Sequence, residues 1–490
     1  MLATAKTPLL LNPVRTAVRT RTLASLAAEQ RATPAAPPPA PAAERTTAQW
    51  VDFGRQHVTP GLGRVRDMVV VRGSGLEIET SAGERILDFS SGIGVLSLGH
   101  CHPAVSAAVH AQVDTLTHLQ CSIGFHKPYL QLIERLQPIM PDPSLDSFFF
   151  WNSGSEAIEA AIKIARKATG RPNVISMAGG YHGRTYGSGA LSRSKNIYTV
   201  GAGALMPGAH ATPFPYWHGM SLPITTSEEE LVRIATAQLN LLFRTQSAPK
   251  DTAAIFIEPV IGEGGYVPAP DAYLRHLRAV CDEHGILLVA DEVQSGFGRT
   301  GAMWAIEHAG VRPDLLVFAK GVANGYPLSG VVAPRSVMET LDAGVLGGTY
   351  AGNAVACAAA SAVVDYFGTH DVLGNVRARG EQLNAGLDRI AATDAGKKLI
   401  AERRGQNLMA AIEFRSADKL THHGLPTGAA VPANIARRVQ DKCLDAGLLL
   451  LTTSTFEVIR FIPSLTVSKA QVDTALGVFA QAVDEVAREG

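Results

Sequence analysis

The amino-acid sequence predicts an α/β protein, with a large domain built on a mostly parallel sheet covered by helices and a smaller α+β domain. The chain has 490 residues, more than one minimal core requires, which favours two domains. Short, wholly apolar runs alternate with stretches in which apolar residues recur at helical spacing. Strands of this kind are buried on both faces, and they are typical of a parallel sheet covered by helices.

The N-terminal segment is predicted to lie outside the folded body. Residues 1–28 contain lysine and arginine but no Asp or Glu, which is the composition of an organelle transit peptide, a disordered basic tail being the alternative. Residues 32–44 are rich in proline and alanine and predict an extended linker. We therefore expect a transit peptide and linker over residues 1–45, and a location in the mitochondrial matrix or else the cytoplasm.

The strands of the large sheet are predicted from five apolar runs. These runs are SFFFW from Ser147, NVISMA from Asn173, AAIFIEP from Ala253, ILLVADEV from Ile286 and DLLVFAK from Asp314. The stretches EAIEAAIKIARKA and DAYLRHLRAVCDEHG predict helices between them. From about Leu373 onward, helical segments followed by LLLLTT and EVIRFIP predict the smaller lobe. The expected boundaries are 46–101 and 373–490 for the smaller domain, and 102–372 for the large domain.

Composition argues against several classes of partner. Lys plus Arg and Asp plus Glu both count 44, so there is no basic excess for nucleic acid. The five cysteines are scattered and form no C-x-x-C pair or Cys/His cluster, which predicts a reducing compartment and no structural metal. No apolar run approaches the ~20 residues that cross a bilayer. We therefore expect neither a nucleic-acid partner nor a membrane partner.

Two polar residues that close apolar strands are candidates for chemistry. Ligands of open α/β sheets bind beyond the carboxyl ends of the strands. Lys320 ends one strand, and burial would lower its pKa and make its amine a nucleophile towards an aldehyde. Asp291 ends another strand and could keep a pyridine nitrogen protonated, with Gln294 in the loop that follows. Taken singly, the lysine fits a surface position and the aspartate an ordinary loop cap.

Further candidates lie in two glycine-containing loops. Gly154 and Ser155 stand where a strand turns into a helix, whose free N–H groups could bind a phosphate, although Ser153 with Glu156 also has capping-box spacing. Tyr181 in GGYHGRTYG could stack on a flat cofactor or simply fill a gap.

Two arginines are candidates for carboxylate recognition. A guanidinium binds a carboxylate through two parallel hydrogen bonds, and Arg184 and Arg460 could each do so, although a lone arginine is usually a solvated one.

Taken together, the motifs resemble those of a known family. LDFSSGIGVLSLGHCHP, NSGSEAIEAAIKIAR, YHGRTYG, EPVIGEGGY, ADEVQSGFGRTG, FAKGVANGYPLSG and GTYAGN occur in this order. The chain from about residue 50 onward resembles class III aminotransferases, which depend on pyridoxal 5'-phosphate (PLP) and have fold type I. Among them it is most similar to 4-aminobutyrate (GABA) aminotransferases and related ω-amino acid aminotransferases.

The resemblance implies a role for each candidate residue. Lys320 would hold PLP as a Schiff base and move the substrate proton, and Asp291 would pair with the pyridine nitrogen. Other cofactor contacts would come from Gly154 and Ser155 at the phosphate, Gln294 at the ring oxygen, Tyr181 and His182 at the ring face, and Thr349 at the phosphate of the partner subunit. Arg184 and Arg460 would bind carboxylates, Glu263 would neutralise Arg460 when the substrate is an ω-amino acid, and Ile93 would line the pocket.

The function expected from this resemblance is amino transfer from an ω-amino acid to a 2-oxo acid by a ping-pong mechanism. The alternatives are another class III activity, of the acetylornithine/ornithine or alanine-glyoxylate type, or an amino acid racemase. A non-catalytic homologue should have lost Lys320 or Asp291, and an oxidoreductase should carry a nucleotide-phosphate fingerprint, which the sequence lacks. The expected partners are amino acid and 2-oxo acid substrates and a second copy of the chain, as a homodimer or a dimer of dimers.

Overall fold

The computed structural model of the protein describes residues 44–416 and 431–489. The predicted transit peptide, and most of the linker, lie outside these residues.

The chain divides into two compact units, one up to Pro60 and one from Gly61 onward. The first unit contains the helix Thr47–His57, which begins after Thr46. The Thr46 hydroxyl accepts a hydrogen bond from the Gln49 backbone N–H, and the Gln49 side chain accepts one from the Thr46 N–H, as in a capping box.

The second unit contains the strands and most of the helices. Its strands are β1 (Val70–Ser74), β2 (Glu77–Thr80), β3 (Arg85–Asp88), β4 (Ser147–Trp151), β5 (Asn173–Met177), β6 (Ala209–Thr212), β7 (Thr252–Ile257), β8 (Val260–Ile261), β9 (Val267–Pro268), β10 (Leu287–Asp291), β11 (Leu315–Phe318), β12 (Ser329–Ala333), β13 (Ile400–Gln406), β14 (Met409–Phe414), β15 (Leu448–Leu449), β16 (Leu451–Thr453) and β17 (Val458–Phe461). Its longer helices are Pro103–Val113, Lys127–Leu136, Gly154–Thr169, Glu228–Thr245, Asp271–His284, Ala354–Thr369, Val372–Ala391, Ile435–Asp445 and Lys469–Arg488. Shorter helices are Tyr186–Leu191, Arg335–Met338 and Asp394–Leu399.

The main sheet has seven strands in the order β4-β12-β11-β10-β7-β5-β6. β12 is antiparallel to both of its neighbours, and the other pairings are parallel. All five strands predicted from apolar runs belong to this sheet. The sequence-based prediction of a mostly parallel sheet within an α/β fold is therefore confirmed.

The apolar core lies on both faces of this sheet. In β7 every residue is buried. Ile255 and Ile257 belong to one hydrophobic cluster, whereas Ala254 and Phe256 belong to the cluster that includes the helix Gly154–Thr169. Because successive side chains of a strand point to opposite faces, a strand buried in this way must be covered on both sides.

Two smaller sheets complete the second unit. The first has the order β1-β2-β3-β15, in which β15 from near the C-terminus pairs in parallel with β3. The second is antiparallel, in the order β13-β14-β17-β16, and packs with the helices Val372–Ala391 and Lys469–Arg488 in a separate core. The domain boundaries at 102 and 373 remain predictions.

Within residues 44–416 and 431–489, no helix combines the length and the apolar character that crossing a bilayer requires.

Candidate active site

A cavity of about 320 Å³ lies at the carboxyl edge of the main sheet. β10 ends at Asp291, β11 is followed by Lys320, and β4 is followed by the turn into the helix at Gly154. Because β10 and β11 are parallel neighbours, the residues that end them lie side by side. Many of the residues predicted from the sequence line this cavity: Gly154, Ser155, Tyr181, His182, Glu263, Asp291, Gln294 and Lys320.

Lys320 begins a short 3-10 turn and has a left-handed backbone, with φ of +49°. This conformation is unfavourable for a residue with a side chain and is typical of functional positions. The turn is fixed by its neighbours, because the Ser97 hydroxyl donates to the Gly321 carbonyl at 2.7 Å and the Asn324 side chain bonds the main chain of Leu98. The lysine is therefore held at the cavity by a constrained main chain.

The electrostatic surroundings favour a neutral amine at this position. Burial lowers the pKa of Lys320, and the negative charges of Glu263, Asp291 and Glu258 only partly offset that effect. A lower pKa increases the fraction of neutral amine, which is the form that attacks an aldehyde.

Asp291 is buried and forms a pair with His182. Its Oδ2 lies 2.7 Å from His182 Nδ1, and its Oδ1 accepts a hydrogen bond from the Val293 N–H at 3.1 Å. Burial alone would lower the pKa of His182, but the hydrogen bond and the charge of Asp291 raise it overall. The His182 ring and the Val293 N–H thus hold the Asp291 carboxyl group in place, where a pyridinium nitrogen would need a carboxylate beside it.

The position of His182 differs from the sequence-based expectation. The prediction was that Tyr181 and His182 together cover the face of a cofactor ring. The His182 side chain is instead fully buried, bonded to Asp291 and packed near Phe256. Both residues line the cavity, and the His182 ring is the one that bonds the Asp291 carboxyl group.

The helix Gly154–Thr169 presents its N-terminus to the cavity. Ser153 acts as the N-cap and its hydroxyl accepts from the Glu156 N–H at 3.4 Å, so the capping interpretation holds for this residue. The N–H groups of the first turn otherwise have no intrahelical partner and can bind an anion. The Ser155 hydroxyl accepts from the Arg184 N–H at 3.2 Å and lies next to them.

Gln294 adds hydrogen-bonding capacity to the same cavity. Its side chain is buried, and its Oε1 has no hydrogen-bond partner among the described residues. A buried polar atom without a partner is unfavourable unless a ligand or water satisfies it. The Lys320 amine, the Asp291 carboxyl group, a helix N-terminus and this amide form a set that fits the aldehyde, ring nitrogen, phosphate and ring oxygen of PLP.

Glu263 and Arg460 are brought together from distant parts of the chain. Glu263 Oε1 lies 2.5 Å from Arg460 Nη1, and the two side chains are 13% and 4% exposed. Burial would raise the pKa of Glu263, but the charge of Arg460 and its hydrogen bond lower it overall. The pair is therefore charged at neutral pH, and Glu263 lines the cavity.

Arg184 lies on the exposed side of the site. Its Nε donates to the Tyr181 hydroxyl at 3.2 Å, and its guanidinium stacks over the Tyr198 ring at 4.6 Å. The guanidinium also interacts electrostatically with Glu263.

Four of the predicted residues are not among those that line this cavity: Ile93, Arg184, Thr349 and Arg460. Ile93 is 41% exposed, and Val95 lines the wall instead. The reason is a left-handed turn in which Gly92, Ile93 and Gly94 all have positive φ. Thr349 is exposed, and its predicted contact with the partner's phosphate stays a prediction.

The structure also brings in residues that sequence reasoning missed. Lys195 interacts electrostatically with Glu263, Arg460 and Arg184, and burial lowers its pKa. As a lone lysine in a polar loop it gave no signal in the sequence.

Glu258 follows the end of β7, and its two oxygens accept from the N–H groups of Tyr181 and Gly262 at 2.8 and 2.9 Å. Burial raises the pKa of Glu258 to about 7. The rule that identified Asp291, a polar residue closing an apolar strand, could have identified Glu258 too.

The fold and this site define an enzyme that uses PLP and belongs to fold type I. Solved structures of similar shape are PLP transaminases. A taurine:2-oxoglutarate aminotransferase from Bifidobacterium kashiwanohense, in complex with PLP and glutamate, has a TM-score of 0.82 at 27% identity, covering 91% of this chain and 99% of that chain. A PLP-bound amine transaminase from an uncultivated Pseudomonas species has a TM-score of 0.78 at 30% identity, covering 88% and 98%.

The chain belongs to the class III aminotransferase family, whose family model, Aminotransferase class-III, matches residues 62–483. It is 40% identical over 434 residues to a 4-aminobutyrate aminotransferase of Escherichia coli, covering 88% of this chain and 96% of the relative. It is 39% identical over 434 residues to a 5-aminovalerate aminotransferase of Pseudomonas putida, with the same coverage. The protein is a PLP-dependent transaminase, as the sequence motifs predicted.

Proposed function

We propose that the enzyme transfers the amino group of an ω-amino acid, of the size of 4-aminobutyrate or 5-aminovalerate, to a 2-oxo acid in two half-reactions. The observation that carries this proposal is the buried ion pair of Glu263 and Arg460 at the cavity that Lys320 lines. The relatives named for 4-aminobutyrate and 5-aminovalerate, at 40% and 39% identity, support the same substrate class.

The ion pair explains how one site could accept two kinds of substrate. The reacting carbon of an α-amino acid carries a carboxylate, whereas that of an ω-amino acid carries hydrogen in its place. With an ω-amino acid, Arg460 would need another anion, and Glu263 supplies it. With glutamate or a 2-oxo acid, the substrate carboxylate would pair with Arg460 and Glu263 would rotate away. Glu263 thus acts as a replaceable partner of the arginine.

The distal carboxylate of the substrate would be bound by Arg184 and Lys195. Arg184 and Lys195 both interact electrostatically with Glu263, so they lie close to the substrate end of the site. Two cations there attract a carboxylate, and the fork of Arg184 can bind it with two hydrogen bonds.

The residues around Lys320 fit the handling of the cofactor and the proton. When bound, PLP supplies an aldehyde and a protonated ring that withdraws electrons from the reacting carbon. Lys320 Nζ would bind the aldehyde carbon and, once displaced by the substrate amine, would remove the proton from the reacting carbon. Asp291, supported by His182, would keep the ring nitrogen protonated.

Other groups would fix the position of the cofactor. The first-turn N–H groups at Gly154 and Ser155 would bind the phosphate, Gln294 the ring oxygen, and Tyr181 one face of the ring. Because these groups lie in segments that follow different strands of the main sheet, namely β4, β10 and β5, they can hold the ring from several directions.

We propose further that the enzyme acts as a homodimer and that Thr349 reaches the partner's phosphate. Tyr350, next to Thr349, is 66% exposed, and Phe125 and Ile123 are 86% and 76% exposed. A second cavity lined by Tyr350 shares Asn152 with the main one. Exposed apolar side chains such as these support a protein surface that covers them. Light scattering should give the mass of a dimer, and Thr349→Ala should weaken PLP binding; a monomer with normal PLP affinity would contradict the proposal.

A mitochondrial location is supported only by the composition of residues 1–28. Those residues lie outside the part of the chain that the structure describes, and the curated relatives named above are bacterial proteins. Sequencing the N-terminus of the native protein tests the proposal. A start near residue 30 supports removal of a leader, and a start at Met1 contradicts it.

The function is tested by following the absorbance of the bound cofactor. The purified enzyme should change spectrum on addition of 4-aminobutyrate or 5-aminovalerate, and a 2-oxo acid should then restore the first spectrum. Substrate panels with ornithine, alanine, pyruvate, glyoxylate and 2-oxoglutarate identify the preferred pair. Absence of any spectral change with both ω-amino acids, together with a change for ornithine or alanine, would contradict the proposal.

A further inference from the structure

The antiparallel sheet places two arginines in one cross-strand row. Arg404 on β13 lies opposite Ala411 on β14, and Ala411 lies opposite Arg460 on β17. Side chains that lie directly opposite each other in a sheet point to the same face. The two arginines therefore rise from one face, two strands or about 10 Å apart, with the small side chain of Ala411 between them.

The turn that carries Glu263 packs over this gap. Arg460 pairs with the Glu263 side chain at 2.5 Å, while Arg404 Nε donates to the Gly265 carbonyl at 2.8 Å. Tyr266, which follows the turn, shares a hydrophobic cluster with Ala411. Gly265 has φ of +126°, a backbone conformation that favours glycine, and a Cβ there would lie 2.8 Å from Arg404 Nη2.

The main chain of the turn is held on both sides of Glu263. The Gly262 N–H donates to Glu258 at 2.9 Å, and the Glu263 carbonyl accepts from the Ser454 N–H at 2.9 Å. The turn closes on itself through the Gly265 N–H and the Gly262 carbonyl at 3.0 Å. Arg404 provides the anchor at the last residue of the turn.

The charge of Arg404 is neutralised independently of the substrate site. Its Nη1 donates to Glu413, and it also pairs with Glu402 at 3.0 Å. Glu413 in turn accepts from the Tyr216 hydroxyl at 2.5 Å and bonds His218. Burial would raise the pKa of Glu413, but the charge of Arg404 lowers it to about 2. Glu413 therefore stays ionised, and Arg404 has a permanent anion.

We propose that Arg404 is a positioning residue that fixes the main chain of the Glu263 turn, so that Glu263 exchanges partners by rotating its side chain alone. This proposal rests on the proposed function of Glu263. Because Arg404 already has Glu413, it does not compete with Arg460 for Glu263 or for a substrate carboxylate. In this row, Arg404 holds the main chain of the turn and Arg460 binds the substrate carboxylate.

The test compares Arg404→Lys with Arg403→Lys. Lysine keeps the charge at position 404 but lacks the planar fork that contacts Gly265 and Glu413 together. Arg403 is the matched control, because it lies next in the same strand and contacts Asp388 and Asn384 instead. Single-turnover rates are measured with 4-aminobutyrate, 5-aminovalerate and L-glutamate, and hydrogen exchange is measured at the amides of residues 262–266 in the protein without substrate.

In Arg404→Lys, we expect the ω-amino acid half-reaction to slow by about tenfold relative to the glutamate half-reaction, the size of one lost charge-assisted hydrogen bond. Exchange at residues 262–266 should become faster, and Arg403→Lys should match the parent in both measurements. Equal slowing of both half-reactions, or unchanged exchange, would overturn the proposal. If Arg404→Lys fails to fold, Arg404→Met with Glu413→Gln removes both charges together and must give the same bias.

The activity of the unmodified enzyme distinguishes failure of the proposed function from failure of this inference. If it reacts with neither ω-amino acid, the proposed function fails and this inference fails with it. If it reacts with them and Arg404→Lys shows no bias between half-reactions, only the role of Arg404 is refuted.

Discussion

Replacing Glu263 by glutamine tests whether Glu263 is a replaceable partner of Arg460. Glutamine keeps the size of the side chain and can still accept a hydrogen bond, so the variant removes mainly the negative charge. The half-reaction with 4-aminobutyrate should slow strongly, because Arg460 then has no anion beside it. The half-reaction with a 2-oxo acid should change little, because the substrate carboxylate supplies the anion.

The expected size follows from the geometry of the ion pair. The two charged atoms lie 2.5 Å apart, and the side chains are 13% and 4% exposed, so solvent screens the pair weakly. Removing one partner of such a pair costs about 3 to 5 kcal/mol, and the hydrogen bond that glutamine keeps favours the lower end. A loss of about 3 kcal/mol corresponds to roughly a hundredfold in rate.

The assay is stopped-flow absorbance of the cofactor-loaded enzyme under single-turnover conditions, with each amino donor and each oxo acid in separate experiments. Arg460→Ala provides the reciprocal variant and should slow the glutamate and 2-oxo acid half-reactions more than the 4-aminobutyrate half-reaction. Equal losses in both half-reactions for Glu263→Gln would refute the reasoning and leave the ion pair with a structural role.

Three further predictions concern the cofactor end of the site. Lys320→Ala should fold normally but lose at least ~10³-fold in turnover, since it removes the amine that binds the aldehyde and moves the proton; turnover near that of the parent at saturating PLP would disprove this role. Asp291→Asn should lose roughly 10² to 10³-fold, or about 3 to 4 kcal/mol, because an amide cannot hold a pyridinium proton; steady-state rates within about tenfold of the parent would assign that role to another residue. The rate at which PLP attaches to the apoprotein should rise with pH and level off below the usual lysine pKa of about 10.4, because burial lowers the pKa of Lys320 and the neutral amine is the reactive form; a rate that still rises steeply above pH ~10 would contradict the lowered pKa.

The sequence predicted the main sheet well where strands are wholly apolar and end in a polar residue. Asp291 and Lys320 were selected as candidates in this way, and the structure places both at one cavity. β6, with the sequence AHAT, has no apolar run and was not predicted. β12 begins directly after a loop rich in glycine and proline, and its antiparallel direction cannot be read from composition.

Contacts between residues that are far apart in the sequence were harder to predict. Glu263 and Arg460 are 197 residues apart, and only the motif resemblance suggested the pair that the structure contains. The pairing of His182 with Asp291 joins residues 109 positions apart, which the sequence does not specify. Ile93 was expected at the pocket wall, but a series of left-handed residues reverses the chain there. Local conformation and long-range packing therefore account for most of the differences.

β12, the strand that is antiparallel to both of its neighbours in the main sheet, stabilises the loop that contains the reactive lysine. β12 returns beside β11, with Phe318 opposite Gly330, so the segment containing Lys320 is a short closed loop between neighbouring strands. A parallel connection would need a crossover of a dozen residues or more, whereas short loops lose less chain entropy on closure. The left-handed backbone of Lys320, a strain of the order of 1 to 3 kcal/mol, is thus offset by strand pairing on both sides of it. We therefore expect this hairpin to hold the lysine loop in place.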